Sequence, residues 1–376
     1  MNKSKAQFSI PRVGVLESGP SDTIADIEGV KVGHFTLANE SLQTGVTVIK
    51  AHGESHWLNK VPAGATIFNG YGKSVGLMQV EELGVLESPI ALTNTFSVSA
   101  IAHGQIQQAI AEHPQIGKEW TSVNPLVFEC SDAKLNDMQA LAIKPEHFED
   151  ALQSATSVFA QGSVGAGRGM SCYGMKGGVG SASRKARGSL SYRVGALVLS
   201  NFGRPHQIQL PYGASGETIA AHLEQLAMQR LQQTEHASRT LGGVSQAELG
   251  PDHGPERGSI IIVLATDAPL DARQLKRLSM RAVAGLARTG SMIGHGSGDI
   301  ALAFSTAYTL PHHAQQSMPK IQLLHEQDLD GLFEAAADAT QQAIWASLWN
   351  AETVYGRDGS VRYSVQEVLA QLSLGA

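Results

Sequence analysis

The sequence runs to 376 residues, 42% of them apolar and 16% charged, with 40 glycines. That composition suits a globular α/β chain with many tight turns and excludes a disordered one, and a net charge of −6 leaves no basic stripe for nucleic acid. Cys130 and Cys172 are the only cysteines; they have neither zinc spacing nor a disulfide framework, so both read as buried small hydrophobes.

The N-terminal residues 1–8 carry charges with no apolar segment after them, and no apolar run in the chain is long enough to span a bilayer. The expectation is a cytoplasmic protein without a membrane partner. Its length allows two or three domains, or one large layered α/β unit.

Residues 30–36 and 45–49 read as strands joined by a polar turn, and residues 66–72 as a strand running into glycines. A short helix is expected over 76–83, a strand over 89–95, a helix from Val98 to Glu112, and a strand over 126–130 with the carboxylate of Glu129 near its end. The glycine-dense stretch 162–183 misses the dinucleotide spacing, and Lys176 is followed by glycine, so it makes no phosphate loop. It reads as a glycine-rich loop and hairpin where backbones pass closely. A strand over 192–199 ends at Ser200-Asn201-Phe202-Gly203, and Ile219, Leu223, Leu226 and Arg230 mark one helical face. A polar loop without periodicity follows, from about residue 232 to 257.

That loop ends at Gly258-Ser259, where a continuous apolar, largely β-branched run over 260–265 predicts a strand covered on both faces. Thr266-Asp267 offers an N-cap, and Leu275, Leu278, Ala282 and Leu286 share one face of a helix closed by Gly290. The loop Gly294-His295-Gly296-Ser297-Gly298-Asp299 then feeds a second apolar strand over 300–304. A strand-helix-strand crossover makes the two strands parallel and puts both N-terminal ends on one edge of the sheet. Ser259, Ser297 and Asp299 would then face one cleft.

Cleavage of the Gly258–Ser259 bond would give Ser259 a free α-amine with a pKa of roughly 7.7 to 8.0, a base on the same residue as the hydroxyl it activates. Glycine at 258 tolerates the strained turn such a cut requires. On these two residues alone the plainer reading is a turn. The fourteen histidines, among them His295, His312 and His313, show no metal-ligand spacing and read as solvated or loop residues.

Stretches 27–34, 44–48, 69–73, 82–84, 92–95, 165–167, 176–180, 265–270 and 294–299, in that order, resemble the self-processing N-terminal-nucleophile aminopeptidases, the family of the L-aminopeptidase/D-esterase and the β-peptidyl aminopeptidases. The resemblance implies one catalytic domain over 1–376, folded as a four-layer αββα sandwich and divided by self-cleavage into fragments 1–258 and 259–376. It implies Ser259 as nucleophile, Ser297 and Asp299 as its supports, Asn201 as oxyanion donor, and Glu129 as anchor for the substrate's free amine. The implied substrates are short peptides, aminoacyl amides or esters, including D- or β-type; no metal or organic cofactor is implied, and the processed pairs would form a homo-oligomer. Two departures bear on preference: Asp299 stands where some members have Glu, and residues 131–134 lack an aromatic residue found in some.

Each residue also has a plainer role. Ser297 could cap a turn, Asp299 bind backbone amides, Asn201 stabilise its own turn, and Glu129 pair with Arg168. Two other functions stay open on the sequence: an acyltransferase of the ornithine acetyltransferase type, which uses threonine where Ser259 stands, and an unprocessed binding protein.

Overall fold

The apolar run after Ser259 alternates between two cores: Ile260, Ile262 and Leu264 enter one, and Ile261, Val263 and Ala265 the other. A strand so covered belongs in the interior of a layered fold. The computed structural model, described here for residues 8–188, 191–211, 213–238 and 258–374, places it there.

The first half of the chain forms β1 (Lys31–Asn39), β2 (Leu42–Lys50), β3 (Asn59–Gly70), α1 (Leu77–Leu83), β4 (Val85–Leu86), β5 (Ile90–Asn94), α2 (Val98–Glu112), β6 (Leu126–Cys130) and α3 (Glu146–Gln153). Next come β7 (Ser171–Cys172), β8 (Met175–Lys176), β9 (Gly178–Lys185), β10 (Arg193–Asn201) and α4 (Gly216–Ser238). The last third forms β11 (Ser259–Thr266), α5 (Ala272–Arg288), β12 (Gly298–Ser305), β13 (Leu310–Pro311) and α6 (Leu329–Trp349). It closes with β14 (Val354–Tyr355), β15 (Val361–Arg362) and α7 (Val365–Leu374).

Two sheets face each other. The smaller has strand order β1-β2-β5-β6, and the larger has β13-β3-β12-β11-β10-β9 with β4 paired to β3. Between them lies one core, where Val32, Ile49, Leu92 and Phe128 meet Leu199, Ile261, Val263 and Leu302. The outer face of the large sheet packs on α5 and α6, and that of the small sheet packs Val48, Ala91 and Val127 on Ile101, Phe148 and Ala151 of α2 and α3. This is the expected four-layer αββα sandwich. The expected crossover also forms, since β11 and β12 pair in parallel with Ser259 opposite Gly298.

The structure corrects the sequence reading at several places. β3 begins at Asn59, well before residue 66, because its first half is an alanine- and proline-containing stretch without β-branched periodicity. The N-cap of α5 is Asp271, in a capping box with Gln274, whereas Thr266 ends β11 and the Asp267 carboxylate accepts from Arg193 N. Of the polar loop expected over 232–257, residues 232–238 continue α4 and 239–257 lie outside the described residues. His312 lies in a loop, as expected, and there its ring stacks on Trp57 with centroids 3.6 Å apart. Among the described residues no helix is long and apolar enough to cross a membrane.

Candidate active site

Ser259 opens β11 between two strands, opposite Asn201 of β10 and Gly298 of β12. Directly paired residues send their side chains to the same face, so Ser259 and Asn201 both point toward the layer between the sheets. Ser259 Oγ donates to the Gly258 carbonyl at 2.8 Å and accepts from Gly298 N–H at 3.1 Å. Gly258 leaves no room for a side chain: a Cβ there would lie 2.5 Å from Phe202 Cα and 2.6 Å from the Asn201 carbonyl oxygen.

Asp299 and Ser297 sit immediately beside this strand end, both 1% exposed. Asp299 Oδ1 accepts from Ile260 N–H at 3.1 Å and from the Ser297 hydroxyl at 2.5 Å. The acid thus grips the backbone of the residue after Ser259, placing a buried carboxyl next to the Ser259 peptide group. A turn-capping role alone does not account for Ser297, because its hydroxyl goes to a carboxylate.

Asn201 does not serve its own turn. Its Oδ1 accepts from Ser171 N–H at 2.8 Å and its Nδ2 donates to Ser131 O at 2.9 Å, two partners from distant segments that fix which end of the amide is which. A side-chain amide has two N–H donors, and among the described residues only one of them is engaged.

Glu129, 2% exposed on β6 of the facing sheet, accepts from Lys73 N–H at 2.9 Å and from the Thr95 hydroxyl. The alternative partner Arg168 is engaged elsewhere, with Glu352 at 2.6 Å and Gln43 at 2.7 Å. Gly72 shows where the carboxylate points: a Cβ on it would lie 3.9 Å from Glu129 Oε1 and 3.9 Å from Gly298 Cα. Gly298 is the residue whose N–H holds Ser259 Oγ. Gly72 thus lies between the Glu129 carboxylate and the residue that holds the Ser259 hydroxyl.

A family model described as peptidase family S58 matches residues 22–362. The chain belongs to peptidase family S58. It is 35% identical over 372 residues to the β-peptidyl aminopeptidase BapA of Sphingosinicella microcystinivorans, covering 96% of this chain and 88% of that protein. Among solved structures it is similar to the PH0078 protein from Pyrococcus horikoshii OT3, with 40% identity and a TM-score of 0.82 over 97% of both chains. It is also similar to the L-aminopeptidase D-Ala-esterase/amidase from Ochrobactrum anthropi, described as a variant of the Ntn hydrolase fold, with 30% identity and a TM-score of 0.79 over 97% of both chains. The family, fold and enzyme class implied by the resemblance, a serine aminopeptidase, are borne out.

Around the site of this S58 peptidase lie residues that the sequence reading left without a role. Thr95, Lys73 N–H and Gly72 shape the Glu129 environment; all three fall within stretches that carried the resemblance, but nothing in their type points to a carboxylate across the sheet gap. Phe96 and Tyr71, both more than half exposed, follow Thr95 and precede Gly72, so aromatic groups are present near the site although residues 131–134 supply none. Asp132 is buried beside Ser131, its Oδ1 accepting from Asn136 Nδ2 at 3.0 Å. Burial pushes its carboxyl up to about 6, against the opposing hydrogen bonds from Thr44 and Asn136. Cys130 is likewise buried, and the nearby carboxylates of Glu129 and Asp299 add to burial in pushing its thiol well up, which leaves it a packing residue.

Proposed function

We propose that Ser259 is the nucleophile of this aminopeptidase, exposed when the chain opens its own Gly258–Ser259 bond. The observation that supports this is the strand end itself: a backbone carbonyl, that of Gly258, lies against Ser259 Oγ, with Asn201 paired directly opposite Ser259. In the uncut chain Oγ attacks the Gly258 carbonyl carbon as a neighbouring base takes its proton, and the base returns that proton to the Ser259 nitrogen as the C–N bond breaks. The resulting ester is hydrolysed by water, giving a Gly258 carboxylate and a free Ser259 amine.

In the opened enzyme the α-amine takes the Oγ proton as Oγ attacks the carbonyl of the substrate's first residue. The Asn201 amide receives the oxyanion. Asp299, bonded to Ile260 N–H and to Ser297, stabilises the ammonium that forms beside it. The proton then goes to the leaving amine or alcohol, and water releases the acyl group. Glu129 makes a free amino group on the substrate a condition of binding, because this carboxylate is buried and forms no salt bridge among the described residues. The substrates on this reading are short peptides, aminoacyl amides or esters, with D- and β-amino acids among the acyl parts. The two fragments act as one catalytic domain, as a homo-oligomer in the cytoplasm.

The test is a panel of aminoacyl amides and esters of both hands and of β-type, assayed with wild type and Ser259→Ala, alongside the intact mass of each protein. Two fragments with activity are expected for the wild type, and one inactive, full-length chain for Ser259→Ala. A wild-type preparation that hydrolyses the panel as a single full-length chain would end this reading.

A further inference from the structure

Among the described residues two cationic side chains are buried without exposure to water, Arg184 and Lys176. Arg184 is paired with Asp22 at 2.9 Å. Lys176 donates instead to three backbone carbonyls, Gly167 at 2.8 Å, Met170 at 2.9 Å and Gly177 at 2.7 Å. An ammonium has three donors and a neutral amine only two, so the converging carbonyls are all served only when the side chain is charged. Burial works the other way and pushes the lysine's pKa well down. Holding the ammonium here costs desolvation that the three carbonyls offset.

The use of the charge is visible one atom further on. The Met170 carbonyl and the Ser171 N–H belong to the same peptide group, and that N–H donates to Asn201 Oδ1 at 2.8 Å. Asn201 Nδ2, at the other end of its amide, donates to Ser131 O at 2.9 Å and carries a second N–H, the one assigned above to the oxyanion. An unbroken series of hydrogen bonds thus runs from the Lys176 ammonium through two planar amides to the mouth of β11. In such a series each bond polarises the next. Charge at Met170 O strengthens the Ser171 donor, and the pull on Asn201 Oδ1 strengthens the Nδ2 donors in turn.

We propose that Lys176 is a positioning residue for the reaction: its buried ammonium, acting through the Met170–Ser171 peptide, orients and polarises the Asn201 amide that receives the oxyanion. This rests on the role of Asn201 proposed above. The buried acid Asp132 and the Arg168–Glu352 pair complete the charged surroundings of the lysine, and none of them bonds to Asn201.

A double-mutant cycle tests it. Lys176→Met, Asn201→Ala and the double variant are assayed on an aminoacyl p-nitroanilide, with kcat normalised to the cut fraction seen on a denaturing gel. Lys176→Met is expected to lower kcat about tenfold or more with KM within twofold, and to cost less than twofold further in the Asn201→Ala background. A loss of the same size in both backgrounds, or an unchanged kcat in folded Lys176→Met, overturns the proposal. An unchanged kcat in Asn201→Ala overturns the oxyanion role itself and this inference with it. Should Lys176→Met not fold, Ser171→Pro replaces it, deleting the relay's N–H while leaving the lysine in place; the same non-additive loss is expected, and an unchanged or fully additive effect overturns the proposal.

Discussion

The two ends of β11 are built from the same three strands and similar residue types, yet they are finished differently. At the C-terminal end Thr266 Oγ1 donates to Arg193 O at 2.7 Å and accepts from Ala268 N–H at 3.2 Å, Asp267 accepts from Arg193 N–H at 2.7 Å, and Ser305 Oγ donates to Ala268 O at 2.6 Å. The polar groups there are spent on one another. At the N-terminal end the Ser259 hydroxyl leans on the Gly258 carbonyl, the Asn201 amide is held by two distant segments, and Glu129 forms no salt bridge among the described residues. Hydroxyl and carboxylate beside a strand end thus mean closure in one place and readiness in the other, and only the partners tell them apart.

Changes at the two ends should separate activity from stability, and the widest separation is expected at Gly258. Gly258→Val puts a branched side chain against the Phe202 and Asn201 backbone, so the two fragments should appear at least tenfold more slowly in a time course on denaturing gels. Cutting at the wild-type rate would mean that the close approach is not what the glycine serves. Glu129→Ala comes next. Hydrogen bonds to charged groups are worth roughly 1.5–3 kcal/mol, so kcat/KM for free-amine substrates should fall about 10- to 100-fold, chiefly through KM. An equal fall for N-acetylated substrates would remove the anchor role.

A smaller effect is expected from the store of unfavourable energy beside the mouth. The Asp132 carboxyl is pushed up to about 6 by burial, so between pH 4 and 6 the folded protein binds more protons than the unfolded chain. Its stability falls as pH rises through that window, and the penalty stays in full above it. Asp132→Asn should therefore stabilise by on the order of 1–3 kcal/mol at pH 8 and make no difference near pH 3, as read by denaturant melts. His34 works in the opposite sense: burial holds its pKa down to about 4, so its contribution is lost as pH falls from 6.5 through 4 in both proteins and cancels in the comparison. Thr266→Val, at the closed end, should have the mirror-image profile, costing about 1 kcal/mol of stability and leaving kcat and KM unchanged. A change in kcat there would blur the contrast between the ends.

Much of this was legible in the sequence because the large sheet advertises itself. The β-branched run of β11, the amphipathic face of α5 and the glycine loop into β12 each follow a simple periodicity, and together they put Ser259, Ser297 and Asp299 on one edge. α6 gave no such signal. It is buried nearly all round, with alanine at so many positions that no apolar stripe stands out, and its contacts with the sheet come from chain far away in sequence. Lys176 was opaque for a related reason. Beside glycines it resembles a failed phosphate loop, and only the fold reveals that three carbonyls close on it and that one of them leads to Asn201.

The order of strands has one more consequence. β11 and β12, from the chain after the predicted cut, lie between β10 and β3, both from the chain before it. Opening the Gly258–Ser259 bond, as proposed, would therefore release nothing: each piece supplies strands that the other's strands hydrogen-bond to, and parting them would mean dismantling the central sheet. Dilution should not dissociate the mature enzyme into its halves, and maturation would be a one-way step whose product is as durable as the fold.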